Sequence, residues 1–191
     1  MVYLSTPLEL DLKLSDDDFL SLCSKHRDLK FERNINGDLM IMSPMGGLTS
    51  KRNADLIYQL NAWNRKYKLG IIFDSSGGFK LPNGSDRSPD ASFVMMDKWD
   101  NLTNEEKERF LPLCPDFLVE LRSPSDNLAK IQEKMREYMD NGAKLGWLID
   151  PNRKIIEIYR PCQAVEILES PLNIKGEEIL PNFTLDLTEI W

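Results

Sequence analysis

Histidine is nearly absent from this chain: His26 is the only one among 191 residues. A Ser-His or Cys-His nucleophilic pair would have to run through it. It stands among charged neighbours in SLCSKHRD, with no nucleophile elbow or oxyanion loop beside it. Cysteine is scarce as well. Cys23, Cys114 and Cys162 are far apart, odd in number and without a CxxC pair, which argues against a thiolate zinc site. No apolar run approaches the ~20 residues of a membrane helix. The opening MVYLSTPLELDLKL lacks a basic start followed by a long apolar core, so no secretory signal is expected. These absences point to a cytoplasmic protein with no membrane partner. Basic charge is also in deficit, 24 Lys and Arg against 31 Asp and Glu, a net charge of −7. Nucleic-acid binders usually carry a basic footprint. Such a role here would have to rest on a local basic strip or on a bound metal.

What is present is ordinary for a globular chain, 41% hydrophobic and 29% charged residues. No linker, repeat or low-complexity tract interrupts it, so residues 1–191 are expected to form a single domain. Ser15, with Asp18 three residues later, opens a helix through about Lys25. LKFERNINGDLMIM reads as a hairpin around Asn36-Gly37. Thr49 or Ser50 then caps a helix whose Leu56, Ile57, Leu60, Trp63 and Tyr67 share one face. IIFD, FKL and PDASFVMM follow as strands, the last after the turn-rich LPNGSDRS, and Thr103 caps a short helix in TNEEKERF. PDFLVEL has the continuous apolar texture of a strand buried on both faces. Ser125 or Asp126 caps LAKIQEKMREYM, which Asn141-Gly142 closes, and LGWLID then pairs with KIIEIYR. Trp63, Trp147 and Tyr138 read as core residues, and Gly46-Gly47 and Gly77-Gly78 as turns.

Two acids occupy positions where solvation alone would not put them. Asp90 opens PDASFVMM, and Glu120 ends the apolar run FLVE. An acid at the end of a core strand is costly to desolvate unless it is paired or metal-bound. Magnesium asks for carboxylate oxygens and often takes only one or two from the protein. Asp116 also follows a proline and competes with Asp90. It would lie roughly 13 Å from Glu120, four residues along one strand at ~3.3 Å each. Adjacent strands are only ~4.8 Å apart, so Asp90 with Glu120 is the workable pair. A pair holding Mg²⁺ (or Mn²⁺) is equipment for phosphodiester hydrolysis, where the cation polarises the phosphate and acidifies a bound water. A cation should accompany it. Arg122 stands two residues beyond Glu120 on the same side of the strand, and its guanidinium suits substrate phosphate better than proton transfer. On the following helix Leu128, Ile131, Met135, Tyr138 and Met139 form the buried stripe. Lys134 falls at its edge, from where it can reach back toward Glu120. Lys134 is therefore the expected catalytic cation.

RSPDASFV, CPDFLVELRSPSD and EKMREYMDNGAKLGWLIDP together resemble the Uma-type family of restriction-endonuclease-like proteins, abundant in cyanobacteria, within the PD-(D/E)XK nuclease superfamily. FERNINGDLMIMSP and the segment Gly77-Gly78-Phe79-Lys80-Leu81 fit the same pattern. The likeness runs from about Phe31 to Arg160 and is strongest from Pro115 to Pro151. It implies an α/β (α+β) fold, a mixed β-sheet core flanked by helices, with an N-terminal helix and hairpin. It implies a metal-dependent endonuclease acting on DNA, with the metal on Asp90 and Glu120. The motif lysine would have moved from the strand to the helix, matching Lys134. Glu32, in the first hairpin, would supply a further catalytic carboxylate. Position 122, where the motif has lysine, holds Arg122. Two other readings remain, a non-catalytic nucleic-acid-binding domain and a protein-interaction domain, each retaining the nuclease fold. A homodimer is expected, since many nucleases act on two strands as symmetric pairs.

Overall fold

The apolar run that ends at Glu120 becomes a wholly buried strand in the middle of a sheet. The computed structural model describes residues 7–42 and 45–191. Strand β1 (Leu8–Lys13) leads into helix α1 (Asp16–Lys25), followed by the hairpin β2 (Phe31–Arg33) and β3 (Asp38–Ile41). Helix α2 (Gly47–Tyr67) precedes β4 (Gly70–Asp74), β5 (Phe79–Lys80), β6 (Asp86–Arg87) and β7 (Ala91–Met95). The short helices α3 (Met96–Asp100) and α4 (Asn104–Lys107) separate β7 from β8 (Phe117–Leu121). Then come α5 (Leu128–Asp140), β9 (Leu145–Asp150), β10 (Ile155–Tyr159), β11 (Glu166–Glu169), β12 (Asn173–Lys175) and β13 (Thr184–Asp186).

Six strands form one mixed sheet in the order β11-β10-β9-β8-β7-β4. Only β8 and β9 run parallel; the other neighbours are antiparallel. A parallel pair needs a crossover, and α5 supplies it. Every residue of β8 and β9 is buried, which explains their unbroken apolar texture. A second sheet has the order β1-β3-β2-β6-β5, with β2 in the middle. The chain passes between the sheets three times, from β3 through α2 to β4, from β4 to β5 and from β6 to β7. Asp90 lies on the third passage, one residue before β7. β12 and β13 form a separate ribbon.

Apolar side chains cover both faces of the larger sheet. Leu56, Leu60 and Trp63 of α2 pack with Phe93, Trp147 and Phe183 in one cluster, while Met135 and Tyr138 of α5 pack with Leu118 and Leu148 in another. The Trp147 ring meets Phe117 edge-on at 4.7 Å, a geometry that adds to area burial. Across the smaller sheet, the Arg33 guanidinium bonds Asp86 at 2.5 Å and Asp16 at 2.6 Å, tying β2 to β6 and to α1.

Local signals held in most places. Ser15 caps α1 by accepting from the Asp18 N–H, Gly37 closes the hairpin turn at φ 84°, and Thr103 and Glu106 form a reciprocal capping box. Two caps differ from expectation. Helix α2 starts earlier, at Gly47 with Gly46 as its cap, where Ser50 N–H bonds the Gly46 carbonyl at 2.9 Å, so Thr49 and Ser50 lie inside its first turn and Gly47 is helical, not part of a turn. Helix α5 is capped by Asn127, because Asp126 turns back to accept from the Ser123 N–H at 2.7 Å. The PDASFVMM run also bends into α3 at Met96. Strand β1, not expected at all, is an edge strand almost wholly exposed.

Candidate functional site

Where the two sheets meet, β2 places Glu32 in full burial, at 0% exposure. Its Oε1 accepts from the Ser88 N–H at 3.1 Å and from Lys134 Nζ at 2.9 Å, and its Oε2 from Arg87 Nη1 at 3.2 Å. Burial alone would raise this carboxyl. The Lys134 and Arg87 charges outweigh it and hold Glu32 well below the ordinary carboxylate range.

Glu120 lies beside it, one residue before the end of the buried strand β8. Its Oε1 accepts from the Tyr138 hydroxyl at 3.0 Å and lies 2.9 Å from Lys134 Nζ. Burial dominates here and raises the carboxyl; Lys134 opposes the shift, while the neighbouring Asp90 and Glu32 add to it. Asp90 continues the β7–β8 ladder one step past the Ala91–Val119 register pair. Its N–H bonds the Val119 carbonyl at 3.0 Å, and its Oδ2 accepts from the Leu121 N–H at 2.8 Å. The backbone thus fixes Asp90 across from Glu120. Asp90 is half-buried yet crowded enough for desolvation to raise its carboxyl too.

Lys134 rises from α5 and joins these groups. One ammonium spans Glu32 and Glu120 at 2.9 Å each, with its side chain 12% exposed. Burial disfavours the charged form, but the two glutamates more than reverse that, so Lys134 is held protonated.

The donor set fits a small, hard divalent cation. Asp90 Oδ1 and Glu120 Oε2 take no hydrogen bond from any described residue, whereas both oxygens of Glu32 are engaged by protein donors. Two raised, neighbouring carboxylates are also the groups a cation would stabilise most. Among the described residues no trio of His, Cys, Asp or Glu is arranged to hold a metal. Magnesium does not require a trio.

Arg122, the expected phosphate contact, and Asp116, the acid set aside in favour of Asp90, lie apart from this cluster. Arg122 Nη1 bonds Asp150 at 2.6 Å, and its other nitrogens reach the Asp126 carbonyl at 3.3–3.4 Å, so its guanidinium ties β8 to β9 and to the following loop. Asp116 is fully buried just before β8. It accepts from the Met95 N–H at 2.9 Å and sits 3.1 Å from the ammonium groups of Lys98 and Lys144, off the hydrogen-bonding direction.

Sequence reasoning missed two contributors. Arg87 bridges Glu32 to Glu137 of α5, the latter at 2.6 Å. It lies in the turn-rich stretch before Asp90, which gave no sign of burial. Tyr138 is a core residue as expected, but its hydroxyl reaches Glu120. Its place one turn after Lys134 was the available signal. A cleft of about 770 Å³ opens elsewhere, against α1 and residues 107–111. Cys23 lines it, with its thiol pushed up by burial to about 11.

A family model described as "Uma2: Putative restriction endonuclease" matches residues 16–188. The structure is similar to that of a "putative nuclease belonging to DUF820 from Anabaena variabilis ATCC 29413", with a TM-score of 0.71 and 21% identity over 84% of this chain and 88% of that one. At that identity the likeness establishes the fold, a mixed α+β nuclease fold. The chain matches no curated protein. No helix among the described residues is long and apolar enough to cross a membrane. With the family match spanning nearly its whole length, the chain belongs to the Uma2 family of restriction-endonuclease type.

Proposed function

We propose that residues 1–191 form one metal-dependent endonuclease domain that hydrolyses phosphodiester bonds of DNA, with Mg²⁺ (or Mn²⁺) held by Asp90 and Glu120. The observation that carries this reading is the single ammonium of Lys134 spanning Glu32 and Glu120 beside a second strand-end acid. Such a buried charge constellation is expensive to assemble for stability alone. When bound, the metal supplies a Lewis acid for the phosphate and a more acidic water.

The chain's own groups divide the remaining work. Asp90 and Glu120 each keep one carboxylate oxygen without a hydrogen bond from a described residue. Lys134 stays protonated, so it serves as a hydrogen-bond donor that orients the attacking oxygen and stabilises developing negative charge. It is not a general base. Glu32 and Arg87 act through Lys134: Glu32 fixes the ammonium, and Arg87 stabilises Glu32 in turn. Tyr138 orients the Glu120 carboxylate. Cutting both strands would call for a symmetric pair of chains. Three free cysteines suit the reducing cytoplasm.

The test is cleavage of plasmid and linear duplex DNA with Mg²⁺ or Mn²⁺. Cutting by the wild type that is lost on chelation, and lost in Asp90→Ala and Glu120→Ala, is the expected result. Cleavage undiminished in both variants overturns the site. Metal and DNA binding without cleavage favours the non-catalytic reading of the same fold.

A further inference from the structure

A protein of net charge −7 that handles nucleic-acid phosphate needs positive charge at the site itself. The cations around the carboxylates are mostly committed. Lys134 spans Glu32 and Glu120, Arg87 spans Glu32 and Glu137, and Arg122 is fixed on Asp150.

Lys30 differs from these. It stands one residue before β2, where its carbonyl accepts from the Met42 N–H at 2.9 Å and extends the β2–β3 ladder by one step. Because it is two residues from Glu32, its side chain leaves the same face of the sheet, ~6.6 Å away along the strand. It is half-buried and makes no ion pair with a described carboxylate, and residues 1–6 and 43–44 contain no Asp or Glu. Its charge nevertheless reaches the whole cluster. At Asp90, burial raises the carboxyl and Lys30 is the foremost cation opposing that rise. At Glu120 and Glu32, burial again comes first, Lys134 is the leading cation, and Lys30 acts behind it. Of the two lysines felt at both Asp90 and Glu120, one is locked between glutamates and the other is not.

We propose that Lys30 is a phosphate-binding residue whose ammonium contacts a backbone phosphate oxygen of nucleic acid lying over Asp90 and Glu120. This rests on the nuclease reading and supplies the substrate contact that Arg122, held by Asp150, does not offer. An ammonium on a flexible stem is a compact point charge that can follow a phosphate without a preset fork geometry.

The experiment combines two titrations of wild type, Lys30→Met and Lys30→Arg. Fluorescence anisotropy with a duplex oligonucleotide, in Ca²⁺ across a salt series, reads phosphate contacts. Calorimetry with Mg²⁺ alone reads the metal site. Loss of one phosphate contact should lower the slope of log K against log salt by ~0.9 in Lys30→Met. DNA affinity should fall several-fold, and Lys30→Arg should keep the wild-type slope. Mg²⁺ affinity should move the other way, unchanged or tighter in Lys30→Met, because a cation near Asp90 has gone. A wild type that binds DNA, with Lys30→Met matching its affinity and slope, overturns the Lys30 assignment and leaves the nuclease reading standing. Weakening of both DNA and Mg²⁺ binding in Lys30→Met overturns it as well, since Lys30 would then be supporting the site's structure. No DNA binding by the wild type at any salt removes the nuclease reading and this inference with it.

Discussion

Replacing Lys134 with methionine removes the charge that spans Glu32 and Glu120 while keeping the length of the side chain. The ammonium lies 2.9 Å from an oxygen of each glutamate. At an effective dielectric of about 20, each contact represents on the order of 6 kcal/mol of gross Coulomb energy. Desolvating three ions offsets most of it, at several kcal/mol per ion. The loss on substitution is set by what is left behind, because stripping one side of a buried pair typically costs about 3–5 kcal/mol. Glu32 keeps Arg87 and the Ser88 N–H, whereas Glu120 keeps only the Tyr138 hydroxyl among described donors. Glu120, already raised by burial, can relieve its isolation by taking a proton. That holds the expected loss to about 3 kcal/mol, or a Tm drop of roughly 6–12 °C for a chain this long. Urea and thermal unfolding of Lys134→Met at neutral pH, without metal, measure it. Adding Glu120→Gln to Lys134→Met should recover part of the loss, a non-additivity characteristic of residues in contact. A Lys134→Met protein that unfolds within about 0.5 kcal/mol of wild type, the range of an ordinary surface change, would refute the claim that this ammonium holds both glutamates.

Two further outcomes follow from the same geometry. Glu32 has its carboxyl pushed up by burial and pulled down further by Lys134 and Arg87, to about 2. Its folded value is therefore below its unfolded one, so its ionic stabilisation is complete above ~4.3 and is lost as pH falls toward the folded value. Urea unfolding of wild type and Glu32→Gln should accordingly show a stability gap that is constant near neutrality and narrows below about pH 4.3; a gap undiminished at pH 3 contradicts the assignment. Asp116, fully buried among the Met95 N–H, Lys98 and Lys144, is a structural acid. Asp116→Asn should lower stability by about 2 kcal/mol and leave Mg²⁺ affinity unchanged in calorimetry. Selective loss of metal binding would place Asp116 in the site instead.

What the sequence disclosed follows from range. The β8 and β9 runs, the Asn36-Gly37 turn and the α5 stripe are local patterns with one dominant cause each, burial on two faces, a positive φ, or a 3.6-residue period. The placement of Asp90 opposite Glu120 was legible because a strand-end acid conflicts with its own apolar surroundings. The reach of Lys134 to Glu120 was legible because the stripe on α5 told which side of the helix it occupies. Arg87 was not, because β6 is only two residues long and its partners, Glu32 and Glu137, are 55 and 50 residues away. The alternating leucines of β1 carried no burial signal, since Leu8 and Leu12 remain 40% and 46% exposed on an edge strand. Caps were misplaced where several polar residues stood together and only hydrogen-bond competition decides. Asp126 serves the Ser123 N–H, which leaves Asn127 to cap α5. The engagement of Arg122 with Asp150 depends on strand pairing between β8 and β9, which no local pattern reveals.

The central claim is that Asp90 and Glu120 together hold a divalent cation. Isothermal titration of metal-free protein with Mg²⁺ and Mn²⁺ tests it most directly, on wild type, Asp90→Ala and Glu120→Ala, with circular dichroism to confirm that each variant is folded. The account predicts saturable binding to wild type and at least a tenfold loss, about 1.4 kcal/mol, in each folded variant. Wild-type affinity retained in both folded variants would contradict it.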